Sequence, residues 1–206
     1  MKKLLLTLSM IAMSAGSFAD DNGYQRPNLP IRPAHTYSIV AHDPITGEFG
    51  AAVQSHWFSV GAAVIWAEPG VGAVATQSFI EVSYGPNGLA MMRDGTSAAE
   101  TLKTLLAEDE HQDVRQIGMI DAHGSVANHT GSNAIIAHCN QLGDNFSIQA
   151  NLMEKATVCA AMAKAFEATK GDLAGRMMAA LEAAQAEGGD IRGKQSAALL
   201  VVNGEK

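Results

Sequence analysis

Positive charge is scarce in this chain. Its 206 residues hold 14 Lys and Arg against 21 Asp and Glu, a formal net charge of −7. That balance argues against nucleic acid or an anionic membrane as partner, since both recruit basic surfaces. No basic patch interleaved with aromatics occurs. Repeats at solenoid periods are absent as well. Cysteine is limited to Cys139 and Cys159. In an oxidising compartment the two could pair; the alternative is two unpaired thiols, with Cys159 on an apolar helix face. Compact metal-ligand spacing is missing. Asp121, His123, His129, His138 and Cys139 lie close in sequence, but His123 falls at a turn tip and His129 near the far end of the return strand. The Gly-x-Gly of "GVGAVATQ" opens no helix and makes no phosphate loop. We therefore expect no metal and no cofactor.

What is present is apolar: 47% of the chain is hydrophobic and 17% charged, enough for one domain with a large core. The N-terminus reads as a secretion signal. Met1-Lys2-Lys3 is the positive lead, "LLLTLSMIAMSAG" the apolar stretch, and Ser17-Phe18-Ala19 the small-residue cleavage site. The apolar stretch is shorter than the about 20 residues that span a bilayer. No later segment is long and apolar enough to do so, and we expect no membrane association once the signal is gone. Cleavage after Ala19 removes Lys2 and Lys3 and takes the net charge from −7 to −9. The expected organisation is a signal at 1–19, an extended leader at 20–35 carrying Pro27, Pro30 and Pro33, and a folded domain at 36–206 in the periplasm or outside the cell.

Within the domain, "TYSIVAHD", "FGAAVQS", "GAAVIWAE" and "VGAVATQS" read as strands, with Gly47 and Pro69-Gly70 at turns. A helix containing Pro86 follows, then one capped by Ser97 and Glu100 with Leu102, Leu105 and Leu106 on one face. "RQIGMID" and "SVANHTG" form a hairpin, and "NFSIQAN" is a further strand. Helices cover about 154–170 and the segment after the cap Asp172; "QSAALLVV" closes the domain as a strand. Helix pairs alternating with groups of strands do not make the single crossovers of a doubly wound fold. They suit two stacked sheets with a helix pair on each outer face. Met and Ala faces of these helices fit the core and equally fit contacts in a homo-oligomer.

Thr36 opens the first strand. Its hydroxyl has no activating neighbour in sequence, but with a free α-amine it would carry its own base. A free α-amine has a pKa of about 7.7–8.0, so part of it is unprotonated near neutral pH. It can take the hydroxyl proton directly or through one water. A threonine starting a strand is otherwise an ordinary strand residue.

The stretch from "TYSIVAHDPITGEFGAAVQSHWFSVG" to "YGPNGLAMM" resembles the opening of the domain-of-unknown-function 1028 family. "RQIGMIDAHGSVANHTG", "FSIQANLM" and "GGDIRGKQSAALLVV" resemble its later blocks, in order. The resemblance spans Thr36 to about Val202. It implies placement among the N-terminal nucleophile (Ntn) hydrolases, a four-layer αββα sandwich in the α+β class, and amide hydrolysis by Thr36. The chain departs from the pattern in three ways. Residues 20–35 precede Thr36, so a second cut is needed to free its amine. The aspartate and lysine of proteasome-type relatives are absent around Ala51-Ala52 and Trp66-Ala67-Glu68. Ala150 stands where the later block has glycine.

Around Thr36 the expected catalytic partners are Ser55, to hold the amine, and Asn151, to donate to an oxyanion. Gln54, His56 and Trp57 end the second strand, Thr76 and Gln77 end a glycine-rich one, and Gln195 and Ser196 begin the last; these are the candidate substrate contacts. His56 could also supply a base, or simply face solvent. Strand-end hydrogen bonding is the plainer role for Thr76, Gln77, Gln195 and Ser196, and a turn position the plainer role for Asn151. The expected substrate is a small amide or acylated amino compound. The competing expectation is a non-catalytic periplasmic module that binds a small molecule with its leader retained.

Overall fold

The structure, a computed structural model, describes residues 33–204. The expected signal and the leader up to residue 32 lie outside them. Ten strands and five α-helices are present among the described residues. Strands β1 (Pro33–Ala34), β4 (Ile65–Glu68), β5 (Gly72–Phe79), β6 (Arg115–Asp121) and β7 (Val126–Thr130) make the first sheet. Strands β10 (Ser196–Val202), β3 (Phe49–Ser55), β2 (Thr36–His42), β9 (Phe146–Ala150) and β8 (Cys139–Gly143) make the second, in that spatial order. Every neighbouring pair is antiparallel. The helices are α1 (Gly61–Val64), α2 (Tyr84–Arg93), α3 (Ala98–Ala107), α4 (Val158–Ala168) and α5 (Leu173–Ala186).

Strand alternation divides the apolar residues into three clusters. Val40, Ala51 and Val53 of the second sheet meet Ala73, Ala75 and Ile120 of the first. Val74, Ile117 and Met119 turn the other way and pack on Tyr84, Leu89 and Leu102 of α2 and α3. Tyr37, Ile39 and Ile148 pack on Met162, Phe166, Met177 and Leu181 of α4 and α5. Each Val, Leu, Ile, Phe or Met among them, fully buried, contributes about 1.5–3 kcal/mol.

Local signals match the elements they predict. Ser97 Oγ accepts from Glu100 N, and the Asp172 carboxylate accepts from Gly175 N at 2.7 Å, each at a helix start. Gly47 takes φ +75° in the turn between β2 and β3, a conformation that disfavours any residue with a Cβ.

Three segments differ from the expectation. "GAAVIWAE" splits: its first half is the single turn α1, closed by Val64 N donating to Val60 O, and only Ile65–Glu68 is strand. Cys139, for which no element was expected, opens strand β8, which covers the edge of β9. The leader is not wholly without structure, since Pro33–Ala34 pairs with Ser78–Phe79 of β5. The chain thus crosses from the first sheet to the second at His35, and Thr36 is the first residue on the far side.

Candidate active site

Thr36 lies opposite Ser55 of β3, and Ser55 lies opposite Ser196 of β10. On the other flank Asn151 N donates to the Thr36 carbonyl at 2.9 Å. Ser196, Ser55, Thr36 and Asn151 therefore form one row across the second sheet, on the face turned toward the first. Thr36, Ser55 and Asn151 are wholly buried.

Beneath this row runs a chain of buried side-chain amides whose direction can be read from its end. Gln116 Nε2 lies 3.1 Å from the Ala150 carbonyl and 3.3 Å from that of Cys139, and carbonyls only accept. Gln116 Oε1 must then accept, and it does so from Gln77 Nε2 at 2.7 Å and Asn151 Nδ2 at 3.0 Å. Gln77 Nε2 also reaches the Thr36 carbonyl at 3.3 Å, while Gln77 Oε1 accepts from Ser38 Oγ at 2.7 Å. Ser38 Oγ accepts from Gln149 Nε2 at 2.7 Å, and Gln149 Oε1 accepts from Ser147 Oγ at 3.1 Å. A Cβ at Gly118 would fall 2.2 Å from Gln149 Oε1, so only glycine lets Gln149 cross between the sheets. The chain fixes the start of β2 from below.

The peptide bond before Thr36 is gripped from above. The His35 carbonyl accepts from Ser55 Oγ at 2.5 Å and from Arg192 Nη2 at 3.1 Å. Thr36 Oγ1 donates to the Ala34 carbonyl at 2.9 Å and lies 3.3 Å from Ser55 Oγ. Arg192 is held by Asp190, whose side chain is fully enclosed, through Nε at 3.0 Å and Nη2 at 2.7 Å. His56 N also donates to Asp190, at 3.2 Å. Burial and then the Arg192 guanidinium hold the His35 imidazole below its ordinary pKa, against the opposing pull of Asp190. Burial, helped by Asp190, pushes the Tyr37 hydroxyl up to about 12.

The backbone around this point is strained. Ser78 (φ 68°), Ala137 (φ 52°) and Leu152 (φ 57°) occupy the left-handed region without being glycine. Ser78 faces Ala34, Leu152 follows Asn151, and the Ala137 carbonyl accepts from Met153 N. Such residues persist where the surroundings impose them, and they gather at functional sites.

The expected site residues do not all converge. Ser55, Gln77, Asn151 and Thr36 are together. Asn151 Nδ2 donates one N–H to Gln116 and has a second N–H for the expected oxyanion role, while its Oδ1 is without a partner among the described residues. Ser196 serves structure, accepting from Val60 N at 3.0 Å and donating to the Trp57 carbonyl at 2.6 Å. Trp57 itself packs against the cluster between the sheets. His56 reaches the site through its backbone, and its side chain is exposed. Gln195 is exposed and donates its backbone N–H to the Ser55 carbonyl at 3.2 Å. Thr76 alternates onto the face of Val74, toward α2, and Gln54 onto the face of Tyr37, toward α5. Neither can line a cleft with Thr36.

Sequence reading missed Asp190 and Arg192, although an acid and a base two residues apart stand in "GGDIRGKQS". It also missed the relay of Ser38, Gln116 and Gln149. Glutamines spaced through otherwise apolar strands were the available signal.

The solved structures include one from Silicibacter pomeroyi, the protein SPO2555, described as matching the family model DUF1028. It is 29% identical, with a TM-score of 0.76, and the match covers 82% of this chain and 76% of that one. No curated protein matches the chain. A family model matches residues 36–206, beginning on Thr36 itself, and its description is a family of unknown function, DUF1028. A match over that length shows that the chain belongs to the DUF1028 family.

Proposed function

We propose that this protein is a secreted amide hydrolase of the N-terminal nucleophile type, built as a four-layer αββα sandwich, with Thr36 as nucleophile once residues 20–35 are removed. One observation carries the reading: the His35 carbonyl is held by Ser55 and Arg192 while the Thr36 hydroxyl lies within hydrogen-bond reach of Ser55. The layer order supports the sandwich, since a helix pair covers the outer face of each sheet. The Cys139–Cys159 disulfide supports an oxidising compartment.

Cutting the His35–Thr36 bond leaves an amine on the residue that carries the nucleophilic oxygen. Ser55 Oγ and the open Oδ1 of Asn151 are acceptors for that amine. A free α-amine titrates at about 7.7–8.0, so part of it is in its basic form near neutral pH. The amine then takes the Thr36 hydroxyl proton as Oγ1 attacks an amide carbonyl. The α-ammonium gives that proton to the leaving nitrogen, which departs as an amine and leaves an acyl-enzyme on Oγ1; water then gives a proton to the α-amine as it attacks the ester, and Oγ1 takes that proton back as the acid departs. The substrate class is a small amide or acylated amino compound.

The test is the intact mass and N-terminal sequence of the protein from its native compartment, followed by turnover of an amide panel. The expected start is Thr36, with turnover lost in Thr36→Ala and retained in part in Thr36→Ser. A start at Asp20 overturns the reading. The Pro33–Ala34 pairing with β5, which seals Thr36, then favours the second reading, a module that binds a small molecule without cleaving it.

A further inference from the structure

The outer face of the second sheet carries an open cavity of about 340 Å³ between α5 and the β3–β10 pair. Its walls are mostly apolar: Met178 and Leu181 from α5, Ala197 and Leu199 from β10. Gln54 also lines it, with 6% of its surface exposed. Both polar atoms of the Gln54 amide are buried and have no hydrogen-bond partner among the described residues. A buried amide with neither donor nor acceptor answered is a costly choice for a position where leucine would fit the apolar surroundings.

The neighbouring polar groups are already engaged. Tyr37 Oη donates to Gln185 Oε1 at 3.3 Å, and Gln185 Nε2 lies 3.4 Å from the Gly188 carbonyl. At the mouth stand Lys194 and Glu182, one charge of each sign. No single-signed field selects an ion, so a neutral molecule is favoured.

From this geometry we infer a second binding site, for a neutral carboxamide on a short apolar body. The Gln54 side chain would turn its enclosed amide edge into the cavity, where the C=O and N–H of the ligand would meet its N–H and C=O side by side, and the hydrocarbon part of the ligand would lie against Met178, Leu181 and Leu199. The volume falls near the small end of ligand pockets. Because Gln54 and Ser55 are consecutive in one strand, this site opens on the face opposite Thr36. The inference therefore stands whether or not Thr36 is a nucleophile.

The probe pair is hexanamide and 2-heptanone, which differ only in NH₂ against CH₃ beside the carbonyl. Binding to the full secreted protein is followed by amide chemical-shift titration. Hexanamide should move the resonances of Tyr37, Gln54, Leu181 and Leu199 and bind about tenfold more tightly than the ketone, the worth of about one net hydrogen bond. In Gln54→Leu that preference should shrink to about twofold or less, with the ketone still bound. Met178→Trp, at a half-exposed position on the rim, should block both probes without touching the interior. Thr36→Ala should leave both affinities unchanged. Equal binding of the two probes to the unaltered protein overturns the proposal, as do shifts that map elsewhere or binding that survives Met178→Trp.

Discussion

The two faces of β2 and β3 bury polar groups in opposite ways. Toward the first sheet, Ser38, Gln77, Gln116 and Gln149 form a chain in which each side-chain amide gives and receives. Toward α5, Gln54 is also buried, and its amide has no partner among the described residues. The same residue type is a structural strut in one place and, on our proposal, a ligand contact in the other. Burial alone does not separate the two roles; the count of answered donors and acceptors does. A satisfied network holds its members rigidly, which suits the bed on which Thr36 rests. An unsatisfied amide costs stability continuously, which is tolerable where a ligand relieves it.

Breaking the satisfied side should have the larger effect. Gln116→Leu leaves Asn151 Nδ2 without its partner, takes from Gln77 Nε2 the shorter of its two bonds, and removes the Nε2 donor from the Ala150 and Cys139 carbonyls. At about 1–3 kcal/mol for the orphaned amide and less for each group that keeps a partner, the expected loss is roughly 2–4 kcal/mol in urea unfolding. A loss below about 1 kcal/mol would show that the chain is not the support described here.

Cys139 belongs to both sides of the comparison. Its carbonyl closes the amide chain, while its sulfur ties β8 to Cys159 on α4. The bridge spans a sequence separation of 20, for which loop closure gives about 3 kcal/mol. Cys139→Ser with Cys159→Ser should lower unfolding stability by that amount, and a reductant should do the same to the unaltered protein. If reduction costs nothing while the Gln116 variant costs its full share, the amide chain alone holds β8 in place.

The third change has the opposite sign. Gln54→Leu removes two unanswered polar atoms and should raise stability by about 1–2 kcal/mol in the absence of any ligand. A loss instead would mean that Gln54 is satisfied in solution, and the contrast between the faces would dissolve.

How much of this was legible from sequence depends on the reach of each signal. Short-range signals served well: the cap at Asp172, the turn at Gly47 and the stripe of Leu102, Leu105 and Leu106 all act within a few residues. Thr36 and Ser55 were paired correctly because a tight turn joins their strands. The facing of Gln54 was also available, since a residue next to Ser55 in a strand must point the other way. The strand α1 replaced was ambiguous because Gly61-Ala62-Ala63 has no period of its own. Arg192 meets the His35 carbonyl across 157 positions and Asp190 meets His56 across 134, distances over which no local pattern speaks. The relay through Gln116 depends on which strands of two different sheets face each other, which is a property of the folded layers.

The smallest expected effect concerns the segment that covers Thr36. His35 Nδ1 is buried without a partner among the described residues, and the imidazole is held below its ordinary pKa by burial and by Arg192. In the unfolded chain the same imidazole titrates near 6.5. Above that pH both states are neutral and the segment keeps its full stability. As pH falls through that value the open state takes up a proton that the closed state resists, so closure weakens. In the chain that retains its leader, the amide of Ala34 should therefore exchange faster at pH 5 than at pH 8, after correction for intrinsic rates. His35→Gln should flatten the dependence while the exchange of β9 stays as it was. Unchanged pH dependence in His35→Gln would show that the imidazole is not the group that weakens closure. The grip on the His35 carbonyl, rather than the imidazole, would then set how firmly Thr36 is sealed.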